Sequence, residues 1–479
     1  MENNRSTEGK YKKLVINTLL FAIGQFGPSF LGFFLVPIYT NCMSRSEFGT
    51  ADLVISLSSM FIPFISICIS DGVVKFALDG KHDRKGVFSV SFLVCLIGSV
   101  LSFAAYPLVQ RYGQIPEYMM LFYMILITSL FNNLLLLYIK ALQKLSHYTV
   151  ISLVKSLTML VSNIIALRVL NLGINGFLWS YVLSNVVGCI LAVIIGRLNC
   201  YISLKYVSSD LVKEMTSFSL PLIPNQMSIS AMSSMDRYML TYMLDSSYNG
   251  LYSIAHKLPY LVNMFSSVFN QSWNYSALEN QSEKNPVKFY QSIYKIYGCY
   301  MFVAASMIMT LLKPVMLVWV GDEFKESWYY APYLLIGVVF SAFTGFFVPL
   351  FVICEKTGTL FVSTLTGAVV NFILNLILIP VWGINGASFA SAVSFITVWI
   401  IREFMIRKYV DIQFDNRKAL LNALLLFIQG TCLMMISTYW FAVQVLFTAV
   451  IFLINLKEIK AFISHFLNMI KVKKKANEG

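Results

Sequence analysis

Residues 219–242 read SLPLIPNQMSISAMSSMDRYMLTY, a stretch of membrane-span length that carries Asp236 and Arg237 side by side. An ionised side chain near a bilayer centre costs roughly 2.5–3.5 kcal/mol. Such residues persist in a span where they meet a partner or a hydrated passage. Gln226, Ser230, Ser233 and Arg237 recur at intervals of 4, 3 and 4, so they lie along one helical face. Asp236 lies about a hundred degrees round the helix, beside Asn225. Pro221 and Pro224 free backbone carbonyls near one end, which a membrane tolerates only against protein or water. A second polar stripe follows in the next span: His256, Asn263, Ser267, Asn270 and Asn274, spaced 7, 4, 3 and 4, with Lys257 adjacent. Lys155 shares a side with Ser152 and Ser162, and Gln25 stands between Gly24 and Pro28 in the first span.

These types and positions bias the interior of the spans positive, and a partly enclosed positive cleft attracts anions. Arginine's planar fork gives phosphate two parallel hydrogen bonds. Amides and aromatics along the same surface suit hydroxyl-rich, flat-faced sugars. The expected cargo is an anionic head bearing sugars, with Asn225, Gln226, His256, Asn263, Asn270, Asn274 and Gln25 as cavity lining. The competing reading is helix packing, in which small and polar residues form interhelical hydrogen bonds of roughly 0.6–2 kcal/mol. It applies with most force to the Ser and Gly positions.

The elements that must position these residues follow from composition. The chain has 479 residues, 57% hydrophobic and 12% charged, with a mean hydropathy of +0.70. A soluble fold of this size has too little polar cover for that composition, whereas runs of about 20 apolar residues suit a bilayer. The runs predict an all-α integral membrane protein with about 14 transmembrane helices, at 14–36, 51–70, 87–109, 118–140, 149–170, 174–196, 216–240, 249–272, 293–318, 331–353, 359–379, 384–406, 418–438 and 440–462. The first is too long for a cleavable signal core and reads as a retained helix. No soluble domain is inserted between spans, which argues against an enzyme. The eight cysteines are dispersed and the four histidines likewise, so no metal-ligand spacing appears and neither a metal nor another cofactor is implied.

With the N-terminus inside, Arg45, Arg111, Lys313 and Lys325 fall outside. Lys155, Arg168, Arg237 and Lys257 remain within spans, and the other 28 of the 36 Lys and Arg residues are cytoplasmic. That asymmetry follows the positive-inside rule and puts both termini in the cytoplasm. It accounts for the net charge of +13 without nucleic acid, and the basic tail near Lys471–Lys475 faces anionic lipid.

Two echoes mark an internal repeat. NLGINGFLWSYVLSN (171–185) resembles VWGINGASFASAVSF (381–395), and SRSEFGTADL (44–53) resembles DSSYNGLYSI (245–254), in the same order. The chain therefore divides into six-helix lobes over 1–205 and 206–410, followed by two extra helices and a basic tail over 411–479. Six spans per lobe make the repeats parallel, a design that encloses a midplane site in transporters.

The opening NTLLFAIGQFGPSFLGFFLVPIYTNCMSRSEFGTADL, with SLPLIPNQMSISAMSSMDRYML and GLYSIAHKLPYLVNMFSSVFNQSW, resembles the Wzx-type polysaccharide and O-antigen flippases. These belong to the multidrug/oligosaccharidyl-lipid/polysaccharide exporter superfamily. The resemblance runs over roughly residues 10–410. It implies MATE-like paired lobes, alternating access and coupling to protons or sodium. By that likeness Arg237, Lys257 and Lys155 are the candidate head-group contacts, and Asp71, Asp236 and His256 the coupling candidates, since burial shifts such groups toward the physiological range. The cargo it implies is an undecaprenyl-pyrophosphate-linked oligosaccharide moved to the outer leaflet of a bacterial inner membrane. A polysaccharide polymerase or other assembly proteins are the partners it suggests. Three rivals stay open. The lipid II flippase branch also has fourteen spans, so topology alone does not exclude it. A MATE-type multidrug or cation antiporter would want a carboxylate in the first span, which offers Asn17 and Gln25 instead. A membrane polysaccharide polymerase would want a larger external segment than 319–330.

Overall fold

The computed structural model describes residues 24, 26–79, 81–104, 106–107, 116–279, 286–412, 414 and 416–460. Among these, every regular element is helical, as a bilayer requires when each backbone N–H and C=O must be satisfied within its own segment. Val318, Val381 and Met435 stand at least 77% exposed, a placement that hydrocarbon favours and water does not.

Ten described helices are long and apolar enough to cross a membrane. Four expected spans fall short, each for a definable reason. The first lies partly outside the described residues, which take up its helix (α1) at 26–42. The seventh is diluted by its polar stripe. The eighth is broken at residues 256–258. The last is described over 15 apolar residues, Trp440–Ile454.

The chain forms two compact units, Met1–Gly250 and Leu251–Gly479. The first contains α1, α2 (Arg45–Ile65), α3 (Ile69–Leu78), α4 (Arg84–Ala104), α5 (Met119–Ala141), α6 (Leu145–Ile164), α7 (Gly173–Gly196), α8 (Ser209–Ser219) and α9 (Ile223–Met243). The division falls inside α10 (Ser246–Ala255). Ser44 starts α2 with a reciprocal cap: its hydroxyl accepts from the Glu47 amide at 3.3 Å, and the Glu47 carboxylate accepts from the Ser44 amide at 2.9 Å. Such caps contribute about 0.5–2 kcal/mol. Past Pro63, Ile67 and Cys68 adopt the left-handed region and turn the chain into α3. Ile69, Phe88, Leu130, Tyr138, Ile151 and Ala192 gather the core of this unit from α3 to α7.

The second unit contains α11 (Pro259–Glu279), α12 (Pro286–Trp319), α13 (Ala331–Phe346), α14 (Val348–Ile353), α15 (Thr357–Trp382), α16 (Ile384–Ile406), α17 (Arg417–Met435) and α18 (Trp440–Ile454). Its core is aromatic, with Trp273 stacked on Phe346 at 4.5 Å and Phe269 on Tyr297 at 4.0 Å. The last turn of α13 lends carbonyls to side chains: Tyr297 donates to Ala342, Arg402 to Thr344 and Trp273 to Phe346, at 3.3, 2.8 and 2.8 Å. The Thr344 and Phe346 carbonyls are among those a helix end leaves unsatisfied.

The GING hairpins occupy equivalent places. Gly173 and Gly383 both have positive φ, +52° and +58°; Gly173 opens α7, and Gly383 immediately precedes α16. Only glycine adopts that conformation freely, so the shared tetrapeptide reflects a shared turn. The repeat divides the chain near residue 205. The contacts divide it at 250, because α8 packs on α3 and α9 on α2.

Candidate functional site

Arg237 projects from α9 onto α2. Its guanidinium donates from Nη1 to the Ser56 hydroxyl at 2.5 Å, and its Nε lies 3.4 Å from the Asp52 carboxylate. Asp52 and Ser56 are one turn apart on α2, so a single helical face presents both partners. Asp236, next along α9, is 1% exposed. The sequence reading places Asp236 beside Arg237 as its support; the ion pair that forms is with Asp52, 185 positions away in the chain. The arrangement is incomplete. The Arg237 Nε–H is buried and makes no hydrogen bond, because its alignment with Asp52 is poor. The side chain remains 23% exposed. A guanidinium held by one long ion pair and one hydroxyl keeps donor capacity for an incoming anion.

The other sequence-derived residues of this unit divide between two settings. Gln226 donates to Asp71 at 3.2 Å, joining α9 to the exposed start of α3. Asn225 keeps a buried side-chain oxygen without a hydrogen bond. Lys155 is turned into helix packing: its ammonium donates to Asn132 of α5 at 2.6 Å, and Asn132 is 2% exposed. Gln25 lies outside the described residues.

The two echoing motifs meet where they fall within this unit. Ser46 and Ser246 share a hydrogen bond at 2.6 Å, and Asn249 donates to the Gly49 carbonyl at 2.7 Å. A Cβ on Gly49 would stand 1.8 Å from the Ser246 carbonyl oxygen, and one on Gly250 would stand 2.2 Å from that of Arg45. The contacts are reciprocal under the 201-residue repeat, so each motif supplies both a glycine and a carbonyl.

In the second unit the expected continuous eighth span is interrupted. His256 and Lys257 sit in a turn between α10 and α11, where Pro259 begins the new helix, as a first-turn proline does. Both are half-buried, and the His256 ring meets Tyr252 edge-on at 4.8 Å. Asn263 is half-buried and Asn274 exposed. Asn270 donates to Ser266 at 3.3 Å, and Ser266 shares a hydrogen bond with Tyr297 at 2.7 Å, so it belongs to the packing of α11 on α12. The interrupted helix separates His256 and Lys257 from the asparagine stripe.

Two residues carry weight that the sequence reading does not give them. Asp52 has no assigned role there and proves to be the ion-pair partner of Arg237. Arg402, near the end of α16 and close to Arg407 and Lys408, is 7% exposed. It donates to Ser363, Thr344 and Thr364 at 3.0, 2.8 and 2.9 Å. The signal for Arg402 was its place four residues inside the α16 terminus, preceded by TVWII.

Solved structures with this fold are membrane transporters. The lipid II flippase MurJ in an inward closed conformation is 13% identical, covers 94% of this chain and 100% of its own, and superposes with a TM-score of 0.69. The Vibrio cholerae MATE transporter VcmN is 11% identical over 84% of this chain and 98% of its own, at a TM-score of 0.58. An inward-facing multidrug resistance MATE family transporter of the MOP superfamily is 14% identical over 83% and 94%, at 0.57. Comparison with curated protein sequences finds no match. The family model described as polysaccharide biosynthesis protein matches residues 14–273, more than half of the chain. The chain belongs to that family.

Proposed function

We propose that this protein flips an undecaprenyl-pyrophosphate-linked oligosaccharide from the cytoplasmic to the outer leaflet of a bacterial inner membrane by alternating access. The observation that carries the reading is Arg237, an arginine inside a span with one buried N–H unused and a quarter of its side chain open. Membership of a polysaccharide biosynthesis family and the flippase fold support the cargo class. Arg237 exchanges Asp52 and Ser56 for the pyrophosphate. Gln226 and Asn225, on the same helix as Arg237, meet sugar hydroxyls. Asp71, Asp236 or His256 exchanges the coupling proton or sodium ion. Both termini face the cytoplasm, and a polymerase receives the cargo outside.

Replacing Arg237 by Ala should remove surface polysaccharide while leaving the protein in the membrane at its normal level. Normal polysaccharide would refute the assignment. Flipping that ignores both proton and sodium gradients would remove the coupling step.

A second reading, a MATE-type cation antiporter, is favoured by one observation. Asp52, Asp71 and Asp236 all belong to the unit that holds Arg237. Resistance to organic cations on expression, with polysaccharide unchanged by deletion, would select it.

A further inference from the structure

The second unit encloses a cavity of about 90 Å³, several times the roughly 10–15 Å³ that one water needs. Lys295 stands nine residues into α12, Lys418 one residue into α17, and Glu458 four residues past α18. The antiparallel run of these helices brings all three to one end of the bundle, around the cavity. Asn422 and Asn455, each 2% exposed, form the floor. Their amides bond each other at 3.2 and 3.0 Å, and the Cys299 thiol donates to the Asn455 carbonyl at 3.7 Å. The floor is therefore saturated.

Glu458 is not. Its Oε1 takes the Lys418 ammonium, while Oε2 is buried and makes no hydrogen bond. A carboxylate oxygen cut off from water is costly to leave bare, and a cationic N–H satisfies it best. At the mouth, Lys295 is exposed and Lys418 nearly half so, so the entrance suits an anion. The demand is for one small group bearing an ammonium at one end and a phosphate at the other. Leu424 and Leu453, 55% and 64% exposed, give the same two helices an apolar outer surface.

We propose that this cavity binds the head group of phosphatidylethanolamine, its ammonium on the Glu458 carboxylate and its phosphate between Lys295 and Lys418. Phosphatidylcholine has no N–H to offer Glu458. Phosphatidylglycerol brings the phosphate without the cation.

The full-length protein, reconstituted in bilayer discs of phosphatidylcholine alone or mixed with phosphatidylethanolamine or phosphatidylglycerol, provides the test by thermal melting. Phosphatidylethanolamine should raise the Tm by about 3 °C or more over phosphatidylcholine. Glu458→Gln should abolish that difference, and Lys295→Gln, which leaves the Lys418–Glu458 pair intact, should reduce it. The proposal is overturned if phosphatidylethanolamine gives no shift, if phosphatidylglycerol gives an equal one, or if the shift survives unchanged in Glu458→Gln. Should Glu458→Gln fail to fold, an unchanged shift in Lys295→Gln overturns it equally. None of these readouts depends on transport, so the outcome is independent of the cargo.

Discussion

Each unit carries an arginine inside a helix, and the two are held in opposite ways. Arg402 is sealed, and its three nitrogens each donate to a neutral oxygen on α13 or α15. One of these is the Thr344 carbonyl in the last turn of α13, where the helix dipole favours a cation. Arg237 is partly open, leans on one carboxylate and one hydroxyl, and leaves Nε unsatisfied. The same desolvation cost is met in one place by complete hydrogen bonding and in the other by an exchangeable partner. The first arrangement is what a fastener needs; the second is what a binding group needs. Residue type and hydropathy alone do not distinguish them.

The comparison breaks most readily at Arg402. Arg402→Met leaves the buried Thr344 carbonyl and two hydroxyls without their donor, at about 1–3 kcal/mol for each unsatisfied group. We expect loss of folded protein from the membrane, seen as a collapsed detergent-solubilised melting transition. A stable Arg402→Met protein would show that the second arginine is no fastener. Arg237→Ala should shift the same transition by less than about 1 kcal/mol, in keeping with a weak, partly exposed pair. An equal collapse would erase the distinction.

The next effect lies at the reciprocal motifs. Gly49→Ala places a methyl 1.8 Å from the Ser246 carbonyl, whereas Gly32→Ala meets nothing within 4 Å. Gly49→Ala should therefore lower surface polysaccharide at least tenfold, and Gly32→Ala should leave it unchanged. Equal outcomes would remove any role for the close contact.

A smaller effect is expected where α17 and α18 dock. Gln429 is buried and bonds Ser306, Thr310 and Thr448. Gln429→Leu should destabilise the second unit by about 1–2 kcal/mol, read as faster hydrogen exchange in 417–454 with the first unit unchanged.

The smallest effect depends on pH. His82, in the turn before α4, bonds Asp79 at 2.9 Å and Glu214 of α8 at 3.1 Å. The Asp79 hydrogen bond, more than the Glu214 contacts and against partial burial, raises the His82 pKa above its ordinary value. A raised pKa means that protonated His82 binds its proton more tightly in the folded state. Its contribution is full below the ordinary histidine value of about 6.5 and fades as pH rises through the raised one. Hydrogen exchange in α8 should accelerate on raising pH across that window, beyond the intrinsic rate. His82→Ala should show no such step.

Most of the fold was legible because hydropathy and the repeat are local signals. Span lengths are written in runs of 20 residues, and each GING tetrapeptide opens on a glycine at positive φ. The eighth span misled because its stripe is periodic across a break that Pro259 alone announces. At the site, Arg237 was legible as a residue out of place, but its partner was not, since Asp52 lies 185 residues away and pairing across helices leaves no sequence spacing. Arg402 escaped because its neighbours Arg407 and Lys408 read as a cytoplasmic cluster. Lys155 looked like a cavity cation, yet its bond to Asn132 depends on how α6 meets α5.

The central claim is that Arg237 serves the cargo and only rests on Asp52. Exchanging the two charges, Asp52→Arg together with Arg237→Asp, rebuilds an ion pair across the same helices with the fork on the other side. The measurement is surface polysaccharide in cells carrying this double variant at wild-type membrane level. The account predicts a stable protein that delivers none; polysaccharide restored to the wild-type amount would make the pair purely structural and contradict it.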